Sequence, residues 1–458
     1  MPETRAYEAP QVTRLTVGRM DKHRTFDVLP AETLDSRWDI PGLLEKYGSP
    51  LFLVSEQALR DLYRSFRDTF TAAGIDTHVA YSYKTNYLPA VCSVLADEGA
   101  WSEVVSGMEY SLARALGTPP AQIVFNGPYK TRAELETAVV EGALVNIDNF
   151  DEIEALDDVA RTVGRTARVG IRVNVRYGAN GWTKFGFGYD SGEARHALQR
   201  IRHAKRLRLV ALHNHGGTFN LDPQMYATAT KALIELARIA RKLGLKPTTL
   251  DLGGGYPSSN RLKPAWDAPG RRAEASNLGS FAEAILGPLG RAKEAFGGRP
   301  TLILEPGRAV VDAAVFLASR VVAVKEVPEQ GPAVVIDAGV NVLPTAYWYD
   351  HPIEALDDES GGGAGKVRPT RVYGPLCMQI DVVRDRAPLP PLKVGAPLVI
   401  ANVGAYCVSQ SMQFIQPRPA VVLLGPGEPE VVRRRETWRD IFALDHVPER
   451  LRRDGYAL

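Results

Sequence analysis

The sequence contains few cysteines and no long apolar run. Its 458 residues include only three cysteines, Cys92, Cys377 and Cys407, and this odd set lacks the spacing of a metal site. A disulfide framework is therefore excluded, and we expect no bound metal. No apolar run reaches the roughly 18–20 residues that a membrane-spanning helix needs, and the first 20 residues lack the apolar core of a signal peptide. These absences predict a cytoplasmic protein without a membrane partner.

The chain also lacks an excess of charge of either sign. It carries 55 lysines and arginines against 53 acidic residues, so its net charge is only +2. Proteins that bind nucleic acid normally show a basic excess, so we expect no nucleic-acid partner. Apolar residues make up 45% of the chain, which is enough for large buried cores.

Up to about residue 305, short apolar runs alternate with amphipathic helical stretches. Such alternation predicts βαβ units and a parallel sheet. About eight units within roughly 250 residues favour a closed (β/α)8 barrel of the TIM type over an open sheet. The candidate strands are Leu51–Val54, Thr77–Tyr83, Ala100–Val105, Ile123–Asn126, Leu144–Ile147, Ala167–Val173, Leu207–His213, Thr249–Leu252 and Thr301–Leu304.

After Glu305 the apolar runs are separated by proline and glycine turns. This pattern predicts a C-terminal antiparallel β domain of the sandwich or barrel type. We therefore divide the chain into an N-terminal segment that joins the β domain (1–45), the barrel (46–308) and the β domain (309–458). Residues 261–277 and 357–365 are predicted to be surface insertions. The candidate β runs are 314–324, 333–337, 368–373, 397–402 and 420–424.

A lysine, Lys84, follows the second candidate strand, within the segment His78–Asn86. Barrel enzymes place their active sites at the carboxyl ends of the strands. A lysine buried at a strand end loses its proton easily, which suits Schiff-base chemistry. A lysine in this position can also simply extend its amine into solvent. The residues alone leave both interpretations open.

Polar residues also follow three other barrel strands. His215 with two glycines follows one strand, and Gly253–Gly255 follow another, where backbone amides can approach an anion closely. Glu305 and Arg308 follow the last strand. Each group also has a structural explanation: a buried histidine in a tight turn, glycines needed for packing, and an internal ion pair.

The predicted β domain adds two turns with reactive side chains. Cys377 lies in Gly374-Pro-Leu-Cys377, and Tyr406 lies in Gly404-Ala-Tyr406. A cysteine or tyrosine in such a turn is more often structural than catalytic. The coincidence of all these groups at strand ends favours a shared site.

Taken in order, the motifs resemble the pyridoxal-phosphate (PLP) decarboxylases of the alanine-racemase fold type, which include diaminopimelate and ornithine decarboxylases. The resemblance runs from about Leu51 to Leu424. It rests on Tyr-Lys-x-Asn, a His-x-Gly-type turn, Gly-Gly-Gly, Glu-Pro-Gly-Arg, Gly-Pro-x-Cys and Gly-Ala-Tyr. Within that group, Tyr81–Pro89, Phe125–Lys130 and Gln410–Pro419 are most similar to the decarboxylase domain of microcin C biosynthesis.

The resemblance implies how PLP would be bound. Lys84 matches the lysine that forms a Schiff base with PLP, and His215 matches the histidine that stacks on its ring. Glu305 matches the carboxylate that pairs with the pyridine nitrogen. The residues that match phosphate-binding positions are Thr218, which replaces the usual serine, Gly254, Gly255 and Tyr406.

The resemblance also implies the reaction and the assembly. Cys377 matches a thiol that crosses the interface of a homodimer and acts at the substrate Cα, so we expect a homodimer with shared active sites. PLP would accept the electrons left after loss of CO2, and Cys377 would return a proton. Arg308 matches a residue that contacts the substrate in diaminopimelate decarboxylases.

One departure from the family concerns the substrate. Met378 replaces the acid that recognises a distal amine, which is Glu in diaminopimelate decarboxylases and Asp in ornithine decarboxylases. A thioether cannot pair with a buried ammonium. Asp381 keeps the last acid of the motif and remains a candidate for binding an amine.

We therefore predict a PLP-dependent decarboxylase in specialised metabolism. Its substrate is expected to be a free amino acid or an aminocarboxypropyl group on a larger small molecule or peptide. Three alternatives stay open: a diaminopimelate decarboxylase of lysine synthesis, an amino-acid racemase or epimerase, and a PLP-binding homeostasis protein. The long β domain argues against the last of these.

Overall fold

The computed structural model describes residues 25–26, 38–71, 75–177, 182–263, 272–273, 277–356 and 366–453. The strands are β1 (Thr25–Phe26), β2 (Leu51–Ser55), β3 (Asp76–Ser82), β4 (Trp101–Val104), β5 (Ile123–Phe125), β6 (Leu144–Ile147), β7 (Ala167–Asn174), β8 (Phe187–Gly188), β9 (Leu207–His213), β10 (Thr249–Asp251), β11 (Arg272–Ala273), β12 (Thr301–Leu304), β13 (Val315–Val327), β14 (Gly331–Ile336), β15 (Ile353–Ala355), β16 (Arg368–Tyr373), β17 (Val382–Leu389), β18 (Pro397–Ile400), β19 (Ala420–Leu424) and β20 (Glu430–Arg433). The α-helices are α1 (Ile40–Tyr47), α2 (Glu56–Thr71), α3 (Pro89–Asp97), α4 (Gly107–Ala115), α5 (Arg132–Glu141), α6 (Phe150–Thr162), α7 (Glu193–His203), α8 (Pro223–Lys242), α9 (Leu278–Gly290), α10 (Lys293–Phe296), α11 (Arg308–Val311) and α12 (Trp438–Ile441). The predicted insertion at 357–365, and most of the one at 261–277, lie outside the described residues.

Eight parallel strands form a closed barrel in the order β3-β4-β5-β6-β7-β9-β10-β12. Strand β12 closes the barrel against β3, with Leu302 opposite Thr77. Helices connect most of these strands, as expected for parallel βαβ units. The predicted TIM-type barrel is confirmed.

Inward-facing side chains of the barrel change from apolar to polar toward the carboxyl ends of the strands. Because side chains alternate between the two faces of a strand, residues two positions apart point the same way. One packed layer consists of Ala80, Val124, Leu144, Ala211 and Ile303. Two residues further along the same strands stand Ser82, Asn126, Asn146, His213 and Glu305, all buried. The interior of the barrel is therefore filled by an apolar layer, and the five polar residues lie above it toward the carboxyl ends of the strands. We call these five residues the polar layer.

The strands after Glu305, together with β2, form a second sheet in the order β17-β16-β14-β13-β2-β19-β20, and β18 pairs with β13 and β15. A separate β domain is confirmed, but its sheet is mixed rather than purely antiparallel. The pairs β14–β16 and β19–β2 are parallel, whereas β13 pairs antiparallel with its neighbours. Apolar runs in a sequence do not show the direction in which strands pair.

Strand β2, which we predicted as a barrel strand, belongs to this second sheet. Phe52 and Val54 face the main core, whereas Leu51 and Leu53 pack in a second cluster with Leu43 of α1. A run that is buried on both faces has the same pattern in a barrel and in the middle of a covered sheet. The barrel therefore begins with β3, and the limits of the domains stay predictions.

The N-terminal helix α1 covers one face of the second sheet. Asp39 caps it by accepting a hydrogen bond from the Gly42 N–H at 3.0 Å. Its apolar side packs against Phe316 of β13. Over the described ranges, none of the helices has the length and apolar character to cross a membrane.

Candidate active site

Lys84 lies in a short 3-10 turn, Tyr83–Thr85, at the carboxyl end of β3. Its amine donates one hydrogen bond to the carboxylate of Glu103 on β4 and another to Ser82 Oγ, which lies 2.8 Å away. Burial favours loss of the proton, but Glu103, Tyr406 and Glu305 together outweigh burial and raise the pKa of Lys84 above its ordinary value. The expectation that this lysine loses its proton easily is therefore wrong, because a carboxylate that we did not foresee stands beside it.

Two asparagines connect Glu103 to the other side of the barrel. Asn126 Nδ2 donates to Glu103 Oε1 at 3.0 Å and to Glu305 Oε1 at 2.7 Å. Asn146 Nδ2 donates to Asn126 Oδ1 at 2.8 Å and to Asp251 Oδ2 at 3.2 Å. The three buried carboxylates are therefore parts of one hydrogen-bond network.

Glu305 shares its buried space with His213 and Asp251. His213 Nε2 lies 3.5 Å from Glu305 Oε2, and polar atoms of all three side chains lie within 4.8 Å of one another. Burial raises the pKa of a carboxyl group, but the attraction of His213 and Lys84 lowers the pKa of Glu305 below its ordinary value. Burial and the charge of Glu305 raise the pKa of Asp251 well above its ordinary value. These opposite shifts favour Glu305 over Asp251 as the group that carries the negative charge of this pair.

The glycines that follow β10 bring the backbone close to neighbouring groups. Gly253 and Gly255 have positive φ angles of 60° and 95°, which favour glycine. A Cβ atom on Gly254 would overlap the carbonyl oxygen of Glu305. Only glycine therefore fits at this turn, because neighbouring backbone fills the space that a side chain would need.

His215 lies next to this glycine turn. The Gly254 N–H donates to His215 Nδ1 at 2.9 Å. Burial, with the charges of Arg172 and Lys84, lowers the pKa of His215 well below its ordinary value, so the ring is neutral and accepts this bond. Thr218 lies further along the same loop after β9.

A loop of the second domain brings Tyr406 to the turn that carries Lys84. The Tyr406 N–H donates to the Thr85 carbonyl oxygen at 2.8 Å, and Ser409 Oγ donates to the Lys84 carbonyl oxygen at 2.9 Å. The guanidinium of Arg308 lies 5.3 Å from the centre of the Tyr406 ring. Lys84, Arg308 and Tyr406 therefore come together within one chain.

Asp312 fixes the junction between the barrel and this loop. Its buried carboxylate accepts hydrogen bonds from Ser258 Oγ, from Asn260 Nδ2 at 2.8 Å and from the Ala405 N–H at 3.0 Å. The guanidinium of Arg308 lies 3.4 Å away. One carboxylate thus connects three segments that surround the site.

The turn with Cys377, Met378 and Asp381 lies in the second domain. Cys377 and Met378 are exposed, and among the described residues Cys377 makes no hydrogen bond to the barrel. Asp381 is buried, and its two oxygens accept hydrogen bonds from the N–H groups of Val340 and Leu376 at 2.8 and 2.7 Å. Its carboxylate stabilises the turn, and its contact with a substrate amine stays a prediction.

Several polar residues of the site were not singled out from the sequence: Glu103, Asn126, Asn146, His213, Asp251 and Asp312. A usable signal existed for all of them except Asp312, because each stands at an inward-facing position at the carboxyl end of a barrel strand, where an apolar residue would otherwise be expected. Asp312 follows the last barrel strand by several residues and carries no such signal.

Comparisons with known proteins agree on one family. The model of the pyridoxal-binding domain of pyridoxal-dependent decarboxylases matches residues 57–312. The chain is 30% identical over 447 residues to a diaminopimelate decarboxylase of Methanocaldococcus jannaschii, covering 92% of this chain and 97% of that protein. It is 31% identical over 428 residues to a diaminopimelate decarboxylase of Methanothermobacter thermautotrophicus, covering 90% and 95%.

Solved structures show the same similarity. The diaminopimelate decarboxylase of M. jannaschii in co-complex with L-lysine superposes with a TM-score of 0.82 at 29% identity, covering 93% of this chain and 99% of that one. The Helicobacter pylori diaminopimelate decarboxylase, also complexed with L-lysine, gives a TM-score of 0.75 at 26% identity. Both similarities span the barrel and the second domain.

Proposed function

The chain belongs to the pyridoxal-dependent decarboxylases, and we propose that it removes the α-carboxyl group of an amino acid at the carboxyl end of its barrel. The observation that carries this proposal is that Lys84 contacts Glu103, which Asn126 connects to the buried Glu305. The glycine turn after β10 lies against the backbone of Glu305. A lysine amine, an anionic carboxylate and a glycine turn that can approach a phosphate are three kinds of group that PLP requires. They meet here at one end of the barrel.

The residues present fit PLP. Lys84 would hold the cofactor covalently, and Glu305 would pair with the pyridine nitrogen. The glycine turn at Gly254 and Gly255 would bring its backbone close to the phosphate, to which Thr218 and Tyr406 would add their hydroxyl groups. The neutral ring of His215 would lie against the cofactor ring. These roles follow the resemblance described above.

The reaction divides the work between cofactor and protein. When bound, PLP supplies the conjugated ring that accepts the electron pair left by CO2. Glu305 would keep a proton on the pyridine nitrogen, and the burial that raises the pKa of Asp251 well above its ordinary value disfavours a second negative charge beside it. Cys377 would donate a proton to the substrate Cα after CO2 has left.

The comparisons favour meso-diaminopimelate as the substrate over the scaffold-linked amino acid that we expected from the sequence. The relatives at 30% and 31% identity are named diaminopimelate decarboxylases, and their similarity covers about nine-tenths of this chain. We therefore propose meso-diaminopimelate as the first candidate, which would place the enzyme in lysine synthesis.

Met378 favours a second candidate. Its exposed thioether offers no charge to the distal amine of a diamino acid, and both carboxylate oxygens of nearby Asp381 are engaged by backbone N–H groups. An amino-acid group attached to a larger scaffold, as for the decarboxylase domain of microcin C biosynthesis, would fit such a subsite.

A homodimer would complete the site. Two neighbouring segments beside the turn of Cys377 are tied to each other, since the Met412 N–H donates to the Asn341 carbonyl oxygen at 2.8 Å. These segments and the turn expose large apolar side chains, which is the character of an interface core. A second copy of the chain is the occupant that we infer, because it would also bring Cys377 to a cofactor. The exposed side chains are Tyr347, Met378, Ile380, Met412, Phe414 and Ile415.

Steady-state measurement of CO2 release tests the proposal. The PLP-loaded protein is assayed with meso-diaminopimelate, lysine, ornithine and an amino acid linked through its side chain to a peptide. A native substrate should give kcat/KM of about 10⁴ M⁻¹s⁻¹ or more. Efficient turnover of the peptide-linked compound alone would select the second candidate. Loss of optical activity without CO2 release would indicate a racemase and contradict the proposal.

A further inference from the structure

Asn126, the residue that follows β5, lies between two buried carboxylates of different function. One N–H of its side chain points to Glu103, which contacts Lys84, and the other points to Glu305. Asn126 itself is only 4% exposed. Both donors of the amide are therefore used, and each is used by a carboxylate.

The orientation of this amide is fixed from behind. Asn126 Oδ1 accepts a hydrogen bond from Asn146 Nδ2, which also donates to Asp251. A flipped Asn126 would face a carboxylate with its own oxygen and would lose two charge-assisted bonds. The described contacts thus permit one arrangement, with both N–H groups directed at carboxylates.

Building on the proposed function, we propose that Asn126 is a positioning residue that holds Glu103 and Glu305 in place and sets how strongly the site retains a proton on the nitrogen of Lys84. The positive ends of its two N–H dipoles partly neutralise the carboxylates on either side. Without them, the negative potential at Lys84 would increase. Glu103 and Glu305 would also lose the hydrogen-bonded Asn126 amide that holds them apart.

Several charged or titratable groups share this electrostatic environment. Glu103 on β4 and Glu305 after β12 are acidic neighbours of Lys84, and Asn126 contacts both of them. The other groups that interact with Lys84, Glu103 or Glu305 are Arg172, His213, His215, Asp251, Glu109, Tyr256 and Tyr406. Since substitution of Asn126 removes none of these groups, a change in the titration of Lys84 would report the loss of the amide and its effect on the two carboxylates that it contacts.

Two variants separate the charge of position 126 from its hydrogen bonds. Asn126→Leu has a similar size and removes both donors, whereas Asn126→Asp keeps the shape and adds a carboxylate. Asn149→Asp is the matched control, because Asn149 caps α6 at the surface of the same barrel and its change adds the same charge. The visible absorbance of bound PLP, titrated with pH, reports the proton on the Lys84 nitrogen.

We expect the titration midpoint to move upward in both Asn126 variants. The shift should be on the order of one pH unit for Asn126→Asp and smaller for Asn126→Leu, with no shift for Asn149→Asp. A purely structural role would lower the melting temperature and leave the midpoint unchanged. Midpoints equal to that of the wild type in both variants would overturn the proposal.

A second measurement keeps this test independent of the proposed function. In the full-length protein without PLP, the rate at which trinitrobenzenesulfonate modifies Lys84 is followed against pH by peptide mapping. The same upward shift is expected, because it needs neither cofactor nor substrate. A wild-type protein that fails to bind PLP would contradict the proposed function, while an unchanged Lys84 profile in both variants would contradict the role of Asn126.

Discussion

Removal of the Asp312 carboxylate should destabilise the protein strongly. In Asp312→Ala, Ser258 Oγ, Asn260 Nδ2 and the Ala405 N–H lose a common acceptor, and Arg308 loses its charged partner. Breaking one side of a buried ion pair costs about 3–5 kcal/mol, because the remaining charge stays buried without compensation. We therefore expect the free energy of unfolding to fall by about 3–5 kcal/mol.

Urea unfolding, followed by tryptophan fluorescence and extrapolated to water, measures this loss. Asp385→Ala is the control, since Asp385 pairs with Arg371 at 3.1 Å but is about half exposed, so its removal should cost less than about 1 kcal/mol. The Asp312 variant should also bind PLP more weakly, because the loop with Tyr406 loses its anchor. A loss of less than about 1 kcal/mol in the Asp312 variant would refute the assignment of this carboxylate as the junction of the two domains.

Four further predictions follow from the site. Borohydride reduction of the PLP-loaded protein should fix the cofactor on Lys84, and Lys84→Ala should abolish CO2 release; a reduced adduct on another lysine would refute the assignment. Mixing inactive Lys84→Ala and Cys377→Ala protomers should restore part of the activity if two copies share each site, and proven subunit exchange without recovery would exclude sharing. Met378→Glu should raise kcat/KM for meso-diaminopimelate by about tenfold or more, since a charge-assisted hydrogen bond contributes roughly 1.5–3 kcal/mol; no change would mean that another residue holds the distal amine. Burial raises the pKa of Glu109 from 4.5 to about 7, so the folded wild type loses stability as the pH rises between these two values. In urea unfolding, Glu109→Gln should therefore become more stable than the wild type as the pH rises, by up to about 3 kcal/mol at pH 8. A difference in stability that does not depend on pH would contradict this.

The barrel was predictable from local pattern, and parts of the second domain were not. All eight barrel strands form within about one residue of the predicted limits, because parallel strands buried on both faces are continuous apolar runs. Strand β17 was not predicted, since Val382–Leu389 contains three charged residues and a proline. It lies at the edge of the second sheet, where solvent accepts charge and proline does not interrupt a central ladder. A continuous apolar run therefore identifies the central strands of a sheet but not its edge strands.

The residues of the candidate site differ in how well the sequence predicts them, because only some of them have neighbours in sequence that are also their neighbours in space. Lys84, His215, Gly254 and Glu305 stand in motifs whose neighbours in sequence are also their neighbours in space, so the motif itself indicates the site. Glu103 is adjacent to Lys84 only through the pairing of β3 with β4, where Ser82 lies opposite Glu103.

The residues of the polar layer come together only because the barrel closes. Asn126 and Asn146 are unremarkable singly, and their meaning depends on the closure of the barrel, which brings the ends of distant strands together. Closure places Asn126 and Glu305, 179 positions apart, at 2.7 Å. An inward position that changes from apolar to polar at the end of a barrel strand is a signal that can be read once the strands are known. Read that way, the same alternation identifies both the apolar side chains inside the barrel and the polar side chains at the carboxyl ends of its strands.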